Sequence, residues 1–336
     1  MIELNAEGQE TEMLMARAAW LYYIAGLNQE AAAKRLGITR ARINRLLADA
    51  RETGLVSIQI NDANVGLLPV EEALRARYGL DLCICTPALG AGETAAGPAR
   101  LQEVEALMLG YAFRAVGMAA ALHLKRHVQE NRDAVVGTGW GRTLEQMTLN
   151  LAGIAAPEAR FISLMGSLTA NSAYNPFEVV HAFARATGGE GHVLPVPFIA
   201  DSPDDRQVLM SQRSVQQGLT LARQASVAYI SIGELTEGSL LRRQGMISAE
   251  DLASLRAAGA IGDTNGLFFD AAGTPVDHEL NRRTIALGFD DLARIGAIAL
   301  VAGIAKSEAA HAFLRSGVCR GLVIDGDTAL RLMDHA

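Results

Sequence analysis

The chain has 336 residues, 50 % hydrophobic and 20 % charged, a composition that excludes a disordered or low-complexity protein and leaves room for about two domains. Its net charge of −7 excludes a protein that coats nucleic acid over its whole surface. Three cysteines, Cys83, Cys85 and Cys319, are too few for a disulfide framework, and with no ligand partners at metal spacing they are expected to be buried in strands.

In chain order, "EMLMARAAWLYYIAG" carries Leu14, Ala18, Leu21 and Tyr22 on one stripe and reads as a helix ended by Gly26. Asn28 is placed to cap a second helix, with Ala31 to Leu36 as its body and Gly37 as its left-handed C-terminal residue. Thr39 caps a third helix that runs to about Arg51. "GLVSIQI" reads as a strand and "NDANVG" as a turn or linker, which puts a domain boundary near Asn61 to Leu67 and divides the chain into 1–60 and 61–336.

Beyond the boundary, strands and helices alternate. "LPVEEALRARYG" is a helix, "LDLCICTPAL" a strand, "GETAAGPARLQ" a loop, and "EVEALMLGYAFRAVGMAAALHLKRHV" a long, Ala-rich helix. "DAVVGTGWGRTLEQMTLNLAG" is strand, glycine loop and helix; "RFISLMGSL" is a strand and "NPFEVVHAFARATGG" a helix. "EGHVLPVPF", "ASVAYISIG", "GLFFD" and "RIGAIALVAGI" are further strands, with helices near Asp204–Arg223, Ser248–Ala257 and Lys306–Ser316, and "CRGLVIDGDTALRLM" closes with strand and helix. Continuous apolar strands separated by helices predict an α/β fold, in which a small all-α domain precedes a doubly wound, mostly parallel sheet. The acidic N-terminus lacks the apolar core of a secretion signal, and "IGAIALVAGIA" is short of the roughly 20 residues that span a bilayer, so a cytoplasmic protein with no membrane partner is expected.

The first motif is "NQEAAAKRLGITRARINRLL". A helix-turn-helix needs a small residue where its helices touch and a glycine in the turn, and Ala33 and Gly37 supply them. Ile43, Leu46, Leu47 and Ala50 form the apolar stripe of the second helix. The opposite face is centred on Ala41, Arg45 and Ala48, flanked by Arg42 and Asn44. Between Lys34 and Arg51 six basic residues stand against Asp49 alone, a compact basic patch on an acidic protein. Arginine can pair with guanine and asparagine with adenine, and alanines let a helix sit deep in a major groove. Thr39, Arg40, Ala41, Arg42, Asn44 and Arg45 are therefore the candidate DNA-reading residues, with Gln29 facing the phosphate backbone. The plainer alternative is the solvated face of a helical hairpin.

The second motif is "AVVGTGWGRTLEQM", with Gly137, Gly139 and Gly141 between a strand and a helix. Such a loop lets backbone N–H groups approach an anion at a helix N-terminus, where Arg142 and Thr143 add a cation and a hydroxyl. The spacing G-x-G-x-G, and the lack of an acidic residue after "RFISLMGSL", argue against a dinucleotide. A phosphorylated or polyhydroxylated small ligand fits better; a plain tight turn is the alternative. Glu234 in "SIGEL", Asp263 in the glycine-flanked loop of "GAIGDTNGLFFD" and Lys306 in "VAGIAKSEA" also stand at strand ends, where open α/β sheets bind ligands. No metal or cofactor is expected.

The helix-turn-helix followed by "VVGTGWGRTL", "LMGSLT", "NPFEVV", "VPF", "IGEL", "GAIGDTNGLFFD" and "VAGIAKSEA" resembles the SorC family of sugar-responsive bacterial transcription regulators, over nearly the whole chain from about Met13 to Met333. The resemblance implies an effector domain with the fold of ribose-5-phosphate isomerase and glucosamine-6-phosphate deaminase, without their catalysis. It implies a sugar, polyol or sugar-phosphate effector and homo-oligomers, dimers or tetramers, on operator DNA. Residue by residue, the family's effector loop falls on Gly139, Trp140, Gly141, Arg142 and Thr143, its carboxylate on Asp263 and its lysine on Lys306, with Arg243 of "LLRRQG" a further candidate beside Glu234. Where the family often has a Gly-Gly pair before the lysine, this chain has "AGIAK", a departure that narrows the phosphate pocket and favours an unphosphorylated polyol. The rival class is a sugar-phosphate isomerase or deaminase with an appended DNA-binding domain. It needs a positioned base, for which only Asp263 and Glu234 stand in the motifs, with His181 and His278 elsewhere.

Overall fold

A computed structural model describes residues 6–56, 67–90, 98–167 and 175–335. The chain divides into two compact units, Met1–Ile60 and Asn61–Ala336.

The first unit consists of α1 (Ala6–Ala19), prolonged by a π-helical stretch at Trp20–Ile24, then α2 (Gln29–Leu36) and α3 (Arg40–Glu52). Its turns are set by side chains. Asn28 Oδ1 accepts from the Ala31 N–H at 2.9 Å, and Thr39 Oγ1 accepts from the Arg42 N–H at 3.2 Å. Between them Gly37 has φ +67, a left-handed conformation that a β-branched residue tolerates badly. Ala18, Leu21, Ala33, Ile43, Leu46, Leu47 and Ala50 interlock as the core, the stripe expected from the periodicity. The predicted strand "GLVSIQI" begins as a turn instead: residues 53–56 bend after α3, with the Val56 N–H closing on the Ala50 carbonyl. The rest of that strand (57–60) and the linker (61–66) lie outside the described residues, as do 91–97 of the predicted loop and the end of "LMGSLT".

The second unit runs α4 (Leu68–Tyr78), β1 (Leu82–Cys85), α5 (Pro98–Glu130), β2 (Val135–Thr138), α6 (Arg142–Leu149), β3 (Arg160–Ser167), α7 (Pro176–Thr187) and β4 (Glu190–Pro197). It continues with α8 (Pro203–Ser211), α9 (Arg213–Arg223), β5 (Val227–Ser231), β6 (Gly233–Glu234), α10 (Leu240–Arg243), α11 (Ala249–Ala257), β7 (Gly262–Thr264) and β8 (Leu267–Phe269). α12 (Glu279–Arg283), α13 (Phe289–Ile295), β9 (Ala297–Val301), α14 (Ser307–Arg315), β10 (Cys319–Ile324) and α15 (Gly326–Met333) complete it.

Seven strands form one parallel sheet in the order β1-β10-β9-β5-β2-β3-β4, the α/β class expected. Strand residues alternate between two apolar layers. Val135, Ile162, Ala228 and Ile230 point towards α4, α9, α14 and α15, while Val136, Phe161, Val227 and Tyr229 point towards α5, α6 and α7. From β2 the chain runs out to β3 and β4, returns to β5, and then runs the opposite way to β9 and β10. The order therefore reverses between β2 and β5, and the loops leaving their carboxyl ends face a crevice there.

Three elements differ from the sequence expectation. "GDTNGLFF" is a β7–β8 hairpin in a separate antiparallel sheet, ordered β6-β7-β8, so Asp263 stands in a strand rather than a loop. The single helix predicted near Asp204–Arg223 is two, because the side chains of Ser211 and Gln212 both donate to the Val208 carbonyl and Gln212 turns extended. α5 starts at Pro98, ahead of the predicted Glu103, since proline suits the first helical turn. By length and composition Val104–Glu130 within α5 is apolar enough to cross a membrane. Its Ala112, Phe113, Val116, Ala120, Leu124 and Val128 instead pack on the sheet.

Candidate functional sites

In the first unit, α3 turns Ile43, Leu46 and Leu47 inward and leaves Thr39, Arg40, Ala41, Arg42, Asn44 and Arg45 exposed. Gln29, the first residue of α2, is half-buried. Six side chains with three guanidinium groups thus share the open face of one capped helix. This is the geometry of a major-groove reader: phosphates position such a helix and its Arg and Asn tips reach base edges.

In the second unit, the reversal of strand order gathers three loops. Trp140, Gly141 and Arg142 leave β2, residues 231–234 leave β5, and Lys306 follows β9. Together with Ser239, Leu240, Leu241 and Asp263 they line a narrow, partly open cavity of about 30 Å³. Trp140, Gly141, Arg142, Glu234, Asp263 and Lys306 of the predicted set therefore meet in one place. Gly139 and Thr143 are buried next to it without lining it, and Arg243 stands exposed outside it. α10 turns Leu241 inward instead, and neighbouring Arg242 is held by Glu237 and the Ile247 carbonyl. A wider, open depression elsewhere has Asp291 paired with both Arg223 and Arg294.

The loop is fixed by its backbone. The Gly139 N–H donates to the Tyr229 carbonyl at 2.8 Å, and Ser231 Oγ donates to the Trp140 carbonyl at 2.7 Å. Gly141, at φ +113, carries the chain into α6 in a conformation closed to other residues. Both cations lean on one ring: Arg142 Cζ lies 4.4 Å and Lys306 Nζ 5.8 Å from the centre of Phe113 on α5. Burial pushes the Asp263 carboxyl up to about 7, against the stabilising Gly266 N–H donated to it at 3.1 Å. Burial pulls Lys306 below the usual lysine range, opposed first by Glu234 and then by Asp263 and Asp325, while Arg142 adds to the depression. Three carboxylates thus face two cations.

Asp325 also explains the "AGIAK" turn. Its Oδ2 accepts the Gly303 N–H at 2.8 Å and the Thr328 hydroxyl at 2.7 Å, while Oδ1 accepts the Thr328 N–H at 3.0 Å. The Gly303 N–H of this turn is thus committed to an internal carboxylate.

Phe113, Ser231, Ser239 and Asn265 were not singled out by sequence reasoning. Asn265 had a signal: Asn-Gly ahead of an apolar run marks a type I′ hairpin turn, and Asn265 and Gly266 do have φ +49 and +71. His278 caps α12 by accepting the Leu280 N–H, and His181 stacks on Phe177, so neither stands at the cavity.

Residues 62–334 match the family Sugar-bind, described as "Putative sugar-binding domain". The erythritol catabolism regulatory protein EryD of Brucella abortus (strain 2308) is 35 % identical over 324 residues, covering 96 % of both chains. The transcriptional regulator LsrR of Klebsiella pneumoniae is 30 % identical over 95 % of this chain and 92 % of its own. This chain belongs to the SorC family of sugar-binding transcriptional regulators. The full-length sorbitol operon regulator SorC from Klebsiella pneumoniae shares the fold, with a TM-score of 0.67 at 22 % identity, over 97 % of this chain and all of that one. Within this SorC-family frame the helix-turn-helix precedes the matched sugar-binding domain, and the cavity lies inside that domain.

Proposed function

We propose that the protein is a non-enzymatic transcription regulator whose operator binding is controlled by a small unphosphorylated polyol, acting in the cavity between Arg142, Glu234, Asp263 and Lys306. The family, and relatives named as regulators over nearly their whole length, support the regulatory reading. One observation carries the choice of effector class. Arg142 and Lys306 share the cavity with Glu234 and Asp263, and the N–H of Gly303 is spent on Asp325, so little uncompensated positive charge awaits a phosphate dianion. A neutral polyol needs neither. Its hydroxyls accept from Arg142 and Lys306 and donate to Glu234 and Asp263. The relative named for erythritol catabolism concerns a four-carbon polyol of this kind.

A cavity of about 30 Å³ holds roughly one water. The effector therefore binds an opened form, in which the wall at Ser239–Leu241 or the Trp140 loop has moved. Effector binding shifts the population towards that form, and in a homo-oligomer on palindromic DNA this alters the spacing of the two reading helices. Thr39, Arg40, Ala41, Arg42, Asn44 and Arg45 read the operator, Gln29 supports the backbone contact, and the protein works in the cytoplasm without membrane attachment.

A thermal-shift panel of four- to six-carbon polyols, the parent sugars and their phosphates tests the reading. A polyol at 100 times its Kd should add about 2.7 kcal/mol of stability. Stabilisation by phosphorylated compounds alone refutes the effector class. The rival reading as an enzyme has one observation in its favour, since a carboxyl with a pKa of about 7 suits a general base. Incubation with sugar phosphates followed by product analysis tests it, and isomer formation would overturn the non-enzymatic reading.

A further inference from the structure

We propose that Ser239 and Asn265 are further effector-contacting residues, which select hydroxyl-bearing ligands over phosphorylated ones; this rests on the polyol reading of the cavity. Ser239 is 2 % exposed and lines the cavity, and its Oγ has no hydrogen-bond partner. It holds the N-cap position of α10, where a serine ordinarily accepts a helix N–H. Asn28, Thr39, Asn175, Ser202, Ser248 and Asp325 all do so at their helices, and Ser239 does not. Asn265 is 1 % exposed, and neither its Oδ1 nor its Nδ2 has a partner. It follows Asp263 by two residues, and its Oδ1 lies against Gly139, where a Cβ would come within 2.7 Å of it. Gly139 leads directly into Trp140 of the cavity wall.

Unpaired buried polar groups cost the folded state stability, and their retention beside a ligand cavity points to a partner that arrives later. The chemistry of the pair specifies that partner. An amide presents a donor and an acceptor side by side, and a hydroxyl presents both on one atom. A vicinal diol answers both, because each hydroxyl donates and accepts. Asn265 stands behind the wall lined by Trp140 and meets an effector in the opened form; a phosphate dianion only accepts, so wherever it replaces a hydroxyl there it leaves Asn265 Oδ1 unsatisfied. The residues thus add a selection by hydrogen-bond type to the selection by charge.

The test is calorimetry on the full chain with erythritol, threitol, ribitol and erythrose 4-phosphate, beside thermal denaturation of the ligand-free protein. Ser239→Ala should weaken polyol binding about 3- to 10-fold and Asn265→Gly about 10-fold or more. Glycine keeps the left-handed backbone that Asn265 adopts. Gly139→Ala, which drives a methyl against the Asn265 amide, should reproduce that loss. The Ser239 and Asn265 variants should be as thermostable as wild type without ligand, or melt about 2 °C higher, because an unsatisfied group has been removed. A merely structural role predicts the reverse, a lower melting temperature with unchanged affinity, and that result overturns the proposal. Wild type that binds a polyol while both variants bind it equally well overturns this inference alone. Wild type that binds only erythrose 4-phosphate overturns the polyol reading and this inference with it.

Discussion

Lys306→Met removes a buried cation from the cavity lining while keeping a side chain of similar length. In wild type, Lys306 is 7 % exposed and feels Glu234, Asp263 and Asp325. These groups act on Lys306 as electrostatic neighbours, so deleting it should cost less than the roughly 3–5 kcal/mol of a broken buried ion pair. Here the cost should depend on pH. The folded pKa of Asp263, about 7, is above its ordinary 3.8. Stability from this group is therefore fully present below about pH 4 and lost as pH rises through about 7. Removing the lysine pushes that pKa higher still. At pH 5.5 Asp263 is protonated with or without Lys306, so the variant should lose only the part that belongs to Glu234 and Asp325. At pH 8 wild-type Asp263 is ionised, and the variant must either protonate it or leave it unpaired. Urea denaturation of both proteins at the two pH values should show the larger loss, up to about 3 kcal/mol, at pH 8 and a clearly smaller one at pH 5.5. Equal losses at the two values, or none at pH 8, would refute the coupling between Lys306 and Asp263.

Arg45→Ala should weaken specific operator binding by roughly 1–3 kcal/mol, the worth of a base-edge contact, and a titration indistinguishable from wild type would remove Arg45 from the reading face. Gly37→Val should unfold the small DNA-binding unit at lower temperature while leaving effector binding in the larger one unchanged, because valine is strained at φ +67. Normal operator binding by that variant at physiological temperature contradicts the helix-turn-helix assignment. Operator affinity should fall with salt with a slope steeper than about −4 in log–log form, as two reading helices neutralise phosphates together. Light scattering that shows a monomer with full affinity for one half-site would exclude the homo-oligomer.

The parts of this molecule that were legible in its sequence are those built from neighbours in the chain. Asn28, Ala33, Gly37 and Thr39 write the turn between two helices within twelve residues, and each does so through its own backbone or cap bond. The glycine loop of 137–141 is equally local. Arg142, Glu234, Asp263 and Lys306 could be nominated because strand ends are visible as the limits of apolar runs. What could not be read is which ends come together, since that depends on the reversal of strand order between β2 and β5. Phe113 supports both cations from the middle of an Ala-rich helix, where nothing in the sequence distinguishes it from the other core residues. The hold of Asp325 on Gly303 joins residues 22 positions apart, and Arg243 fell outside the cavity because a four-residue helix turned Leu241 inward. Ser239 is unreadable for a subtler reason: a serine before a helix predicts a cap, and here the cap bond is missing.

A cavity with room for about one water would also set a clock on the proposed effector. If the proposed effector acts here, collision alone does not admit it, because the cavity has to widen first. At low effector concentration the observed binding rate rises in proportion, but at high concentration it levels off at the rate of opening, and further effector brings no faster response. Escape meets the same barrier, so a bound molecule is retained for longer than its few hydrogen bonds would suggest. On that reading the regulator would pass over brief pulses of effector and answer a sustained supply. The timing of the genetic switch is then set by the packing of α10 and Trp140 as much as by the affinity of the site.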